Sequence, residues 1–157
     1  FVSNPYAGEV VKGHRIVLAE CGLAPYAGSI SRDPATFEGP WSRDRRSAHI
    51  CSRLSFLRAL FARLGQDRLK LWRGISSEVA LTRRPGQTFV SMSFSEAVAR
   101  SHFDSGSEQA TRVLVRAAVP VNRVFMTYLE TAAMNRHFLE AEAVLLAQNG
   151  DATGLGI

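Results

Sequence analysis

The chain has 157 residues, 46% hydrophobic and 21% charged, enough for one domain with a core and too apolar for a disordered segment. Its net charge is +5, and arginine supplies nearly all the positive charge, with lysine only at Lys12 and Lys70. No apolar run is long enough to span a bilayer, so no membrane span is expected, and no charged-then-apolar stretch opens the chain, so any targeting segment would lie upstream of Phe1.

The start at Phe1 rather than Met reads as a single catalytic-sized domain, 1–157, cut from the C-terminal part of a longer protein. A basic surface favours polyanions: dinucleotides, RNA and acidic protein faces; a plain compositional bias toward Arg explains the charge equally well. Cys21 and Cys51 form neither a disulfide framework nor a metal pair and read as buried thiols of a reducing compartment. His14, His49, His102 and His137 lack metal-ligand spacing, so no metal is expected.

In chain order, Pro5, Pro25, Pro34 and Pro40 punctuate the first forty residues. Glu9 to Cys21 predicts a helix ended by Gly22, and 24–43 a long loop. Ile50, Leu54, Leu57, Phe61 and Leu64 recur at helical spacing, one face of an amphipathic helix with Ser42 or Asp44 as cap and Gly65 at its end. Arg46, Arg53, Arg58 and Arg63 fall on its other faces, the pattern of a solvated surface. From residue 66 the pattern is strand-like. Leu69 to Trp72, Thr88 to Met92, Arg112 to Val119, Val121 to Tyr128 and Ala141 to Ala147 predict five strands, with a short helix over Ser95 to Phe103. The fold class is therefore α+β.

Three short motifs carry chemistry. Arg73, followed by Gly74, closes an apolar strand; a guanidinium there suits a phosphate or carboxylate, and glycine admits close approach to its backbone. An edge-strand Arg with a turn Gly is the plainer alternative. In Phe89-Val90-Ser91-Met92-Ser93 the serines share one side of an extended segment; Ser93 is equally placed to cap the next helix. Glu140 and Glu142 are predicted on one face of a strand, an arrangement whose repulsion a structural sheet avoids and a site that stabilises a cation or activates a nucleophile uses; a solvent-facing acidic pair at the mouth of a buried strand is the plainer alternative.

Arg, then Ser-x-Ser, then Glu-x-Glu, in this order over residues 69–147, resembles the Arg-Ser-Glu class of mono-ADP-ribosyltransferases, the clan of cholera-toxin-like enzymes. Phe89-Val90-Ser91-Met92-Ser93 is similar to that family's aromatic-x-Ser-Thr-Ser, with Met92 for Thr at a position facing away from the chemistry. Phe103 stands where the family often carries a nicotinamide-stacking Phe.

The resemblance implies a helical part followed by two small packed sheets enclosing a cleft for NAD, the co-substrate. Arg73 would clamp a phosphate, Gly74 hold the nicotinamide amide, Ser91 and Ser93 shape the pocket with Ser91 orienting Glu142, and Asp104 to Thr111 form a flap. Glu142 would stabilise the oxocarbenium-like ribose and Glu140 deprotonate the acceptor. Arg136, His137 and Phe138, in the loop Leu129 to Leu139, would contact the acceptor. Glu-x-Glu points to protein arginine as acceptor, with RNA as the second choice because of the basic surface. A plain NAD glycohydrolase and a non-enzymatic RNA-binding domain are the rival classes, the second weakened by the lack of interleaved aromatic and basic residues in sequence. The resemblance further implies a bacterial toxin domain, secreted or delivered to act in the target-cell cytoplasm and neutralised by an immunity protein.

Overall fold

A computed structural model describes residues 14–19, 21–24, 40–79, 81–83, 88–103, 111–130, 133–136, 139–148 and 155–156 of the chain. Residues 14–19 are helical and end where the sequence places the stop. Gly22 takes φ +67°, Leu23 N–H donates to the Leu18 carbonyl at 2.9 Å and Gly22 N–H to that of Ala19 at 3.0 Å, so the last carbonyls are satisfied by a left-handed cap. The predicted start of this helix, before residue 14, lies outside the described residues, as do 25–39 of the predicted loop.

Helix α1 (Pro40–Arg63) begins earlier than its expected caps. Proline fits the first helical position, where no N–H is needed, so Ser42 and Asp44 lie inside the helix. Its end repeats the Gly22 device: Gly65 has φ +64°, and Gln66 N–H reaches the Phe61 carbonyl at 2.9 Å. Ile50, Leu54, Leu57 and Phe61 are buried as their spacing predicts, each contributing about 1.5–3 kcal/mol. Leu64, one turn further and past the helix end, is exposed. Arg53 departs from the solvated-face expectation: its guanidinium pairs with Glu130 and lies 5.8 Å from the centre of the Phe125 ring.

The strands are β1 (Arg68–Ser77), β2 (Thr82–Arg83), β3 (Phe89–Ser93), β4 (Thr111–Pro120), β5 (Val124–Thr127), β6 (Glu142–Leu146) and β7 (Leu155–Gly156). Five of them form one antiparallel sheet in the order β4-β1-β3-β6-β5, and β2 pairs with β7. The α+β class holds; in place of two small packed sheets stand this five-stranded sheet and a two-residue ladder. The predicted strand over Val121 to Tyr128 is shorter, because Val121–Arg123 and Tyr128–Glu130 form single 3-10 turns around β5. The buried Arg123 anchors the first turn by donating from Nε and Nη2 to the Leu146 carbonyl at 3.2 and 3.0 Å.

Alternation along the strands separates two faces. Leu69, Leu71, Val90, Met92, Ala143 and Leu145 pack with Leu57 and Phe61 of α1. On the other face, Phe89, Val144 and Leu146 join Val17 and Leu18 of the first helical segment, together with Ile50 and Leu54. Helix α2 (Glu96–Ser101) lies over β1, and a further short helix, α3, spans Ala133–Arg136. Among the described residues no helix is long and apolar enough to cross a membrane. Cys21 and Cys51 are exposed free thiols, not buried ones: Cys21 falls in the turn after the first helical segment, and Cys51 on the outward side of α1 beside buried Ile50.

Candidate active site

The alternation of β3 turns Val90 and Met92 into the α1 core and Ser91 and Ser93 to the opposite face. Strand register then sets Trp72 of β1, Ser93 of β3 and Glu142 of β6 in one row across the sheet. Ser91, one step along the same face, donates from Oγ to Glu142 Oε1 at 2.7 Å. Glu142 is half-buried at the first position of β6, and the four residues after it are buried. A carboxylate is thus held by a hydroxyl at the edge of an apolar core, where it retains access to solvent and few ways to turn.

Ser93 serves the backbone. Its Oγ donates to the Glu140 carbonyl at 2.7 Å and accepts from Ser95 N–H at 3.0 Å. The cap of α2 is Ser95, which accepts from Val98 N–H at 3.3 Å, so the capping role considered for Ser93 falls to the residue two positions on.

The Glu-x-Glu pair differs from its expected form. β6 begins at Glu142, and Glu140 is an exposed residue of the preceding turn, not a strand neighbour on the same face. Leu139 and Ala141 on either side of it have φ of 53° and 46°, a left-handed conformation that costs a non-glycine residue about 1–3 kcal/mol. The turn is held by its surroundings: Ala141 N–H donates to Asn135 Oδ1 at 2.8 Å, its carbonyl accepts from Phe94 N–H at 3.0 Å, and Leu139 N–H reaches the Asn135 carbonyl at 3.0 Å. Of the predicted acceptor-contacting residues, Arg136 is exposed at the end of α3. His137 and Phe138 lie outside the described residues.

Arg73 does not end its strand. It sits in the middle of the ten-residue β1, half-buried, and alternation puts it on the Leu71 side, away from the Trp72–Ser93–Glu142 row. It lies, however, where the sheet opens. β1 pairs with β3 at Trp72 and Ser93; beyond that pair Arg73–Ser77 is bonded to β4 and Phe89–Met92 to β6. Arg73 is the first residue past the junction.

Gly74 admits a close approach, as its motif suggests, but the group that approaches is protein: a Cβ there would lie 1.7 Å from the Ala99 carbonyl oxygen of α2. Phe103, half-buried just after α2, accepts at its carbonyl from Arg112 Nε at 3.2 Å. Of the expected flap, Asp104 to Thr111, residues 104–110 lie outside the described residues and Thr111 opens β4.

The site also gathers residues that sequence motifs did not mark. Phe94 and Tyr128 meet edge to face at 5.5 Å beside the Ala141 turn. Trp72 has Arg116 as its partner on β4 and Lys70 Nζ 5.0 Å from its ring centre. Phe94–Tyr128 and Trp72–Arg116 are long-range neighbours that no sequence motif pairs, whereas Lys70 and Trp72, two apart on β1, share a face by strand alternation. Comparison of the chain with protein-family models, characterised proteins and solved structures finds no match.

Proposed function

We propose that the domain is an NAD-dependent mono-ADP-ribosyltransferase whose central group is Glu142. The observation that carries this reading is the Ser91–Glu142 hydrogen bond of 2.7 Å, made between two motifs 51 residues apart, next to the place where β1 and β3 part. A carboxylate fixed in this way suits stabilisation of a positive charge that develops in front of it.

In the proposed reaction NAD lies along the opening between β1 and β3. Arg73, at the junction, turns its guanidinium to the pyrophosphate, and Phe103 offers a ring face to nicotinamide. The bond between nicotinamide nitrogen and ribose C1′ breaks, and the electron pair leaves on nicotinamide. Glu142 stabilises the oxocarbenium-like ribose, the acceptor's nucleophile bonds to C1′, and its proton passes to a base, for which exposed Glu140 is the nearest candidate by sequence. The exposure of Glu140 suits contact with an incoming macromolecule better than with the buried end of a dinucleotide.

Glu142→Ala should abolish nicotinamide release, with or without acceptor, whereas Glu140→Ala should chiefly reduce labelling of the acceptor. Nicotinamide release and transfer of labelled ADP-ribose measure the two. Near-wild-type turnover in Glu142→Ala would overturn the reading.

A further inference from the structure

Where β1 and β4 pair, positions of even number share the face that carries Ser93 and Glu142. On β1 they are Arg68, Lys70, Trp72, Gly74 and Ser76, and on β4 Arg112, Leu114, Arg116 and Ala118; neither series contains an acid. Arg68, Lys70 and Arg116 are exposed, Trp72 is half-buried between them, and among the described residues β4 is an edge strand and this end of the face is open to solvent. Lys70 Nζ stands 5.0 Å from the Trp72 ring centre, and Arg116 is its partner across the ladder.

We infer that this face binds single-stranded RNA, and, resting on the transferase reading above, that it holds the RNA as acceptor for Glu142. An indole flanked by cations combines what a single strand needs: a ring on which a base of any identity stacks, and charges at phosphate distance on either side. The same face disfavours the alternative acceptor. An arginine side chain and the basic segment around it would meet Arg68, Lys70 and Arg116 as like charges. Geometry links the face to the chemistry, since Trp72 and Glu142 stand two strands apart in one row, about 10 Å at the usual strand spacing. The transfer is balanced as NAD plus RNA giving nicotinamide, ADP-ribosyl-RNA and one proton. The nicotinamide–C1′ bond breaks with its electrons on nicotinamide, and a nucleophilic oxygen or nitrogen of the strand forms the new bond as its proton leaves.

The test uses the full chain and a fluorescent single-stranded RNA of mixed sequence, about 12 nucleotides long, titrated at several salt concentrations. Trp72→Ala should weaken binding about tenfold. Lys70→Glu with Arg116→Glu should weaken it further and lower the slope of log K against log salt by about two. Arg58→Glu with Arg63→Glu makes the same charge change on the turns of α1 that carry Leu57 and Phe61, which pack on the opposite face of the sheet, and should leave the affinity within about twofold, since phosphate contacts and not net charge set the slope. Wild-type affinity in the Lys70/Arg116 variant, or an equal loss in the α1 variant, overturns the RNA face.

The acceptor role is read separately by supplying labelled NAD with RNA and lysate protein together. Label removed by RNase, and lost in the Lys70/Arg116 variant, supports it; nicotinamide release with label confined to protein overturns it. If the wild type releases no nicotinamide, the enzymatic reading and the acceptor role both fall, and the titration alone decides whether the face binds RNA.

Discussion

At the residue scale the site depends on one hydroxyl and one carboxylate. Ser91 and Glu142 were legible as chemistry-bearing positions because strand alternation fixes which face a residue takes, and both motifs lie on strands. Glu140 was misplaced for the complementary reason: nothing in Leu139 or Ala141 announces a positive φ, which sequence signals assign to Gly or Asn. The carboxylates therefore divide their positions, Glu142 fixed on the sheet and Glu140 exposed on a held turn. If Ser91 orients Glu142, Ser91→Ala leaves a solvent-accessible carboxylate free to turn away from the reacting centre. That predicts a loss of about 10- to 100-fold in the rate of nicotinamide release, largely restored by Ser91→Thr, with little change in Tm. Equal loss of activity and Tm would mean that the hydroxyl supports the fold and not the chemistry.

At the element scale the ends of helices were the most readable features, since Gly22 and Gly65 each close one in the left-handed conformation. The core face of α1 was equally readable from Ile50, Leu54, Leu57 and Phe61. Contacts between distant elements were not: Arg53 reads as solvated until Glu130, 77 residues later, meets it. Gly74 belongs to this scale. Its motif suggested a ligand at its backbone, and the structure sets α2 there instead. Gly74→Ala puts a methyl 1.7 Å from the Ala99 carbonyl oxygen, a backbone atom that moves only if the whole of α2 moves. Overpacking of this kind costs about 1–3 kcal/mol, so Tm should fall by about 3–10 °C in thermal unfolding. An unchanged Tm would show that α2 is held less closely on β1. Because α2 leads directly to Phe103, a displaced helix should also raise the KM for NAD.

At the scale of the whole molecule the sheet is one hydrogen-bonded layer with a weak seam. β4-β1 and β3-β6-β5 are each broadly paired within themselves and meet at Trp72 and Ser93. Sequence patterns located all five strands of the sheet, β5 with bounds too wide, and left this seam invisible, since pairing extent depends on partners and not on a strand's own residues. The seam gives the proposed cofactor site a physical consequence. Opening along it separates Arg73 from Ser91 without disrupting either ladder, so it should require less free energy than global unfolding. A dinucleotide bridging the two parts binds the closed form and suppresses that opening. With NAD at about 100 times its Kd, amide exchange that proceeds through the seam should slow by about 100-fold. The effect should appear at Arg73–Ile75 and Phe89–Ser91, while the last turn of α1 near Gly65, whose opening leaves the site intact, exchanges as before. Hydrogen exchange followed by mass spectrometry resolves these segments. Slowing spread evenly over the chain, or absent from both sides of the seam, would place NAD elsewhere; slowing on both sides would make the parting of β1 and β3 the cleft in which the chemistry of Glu142 takes place.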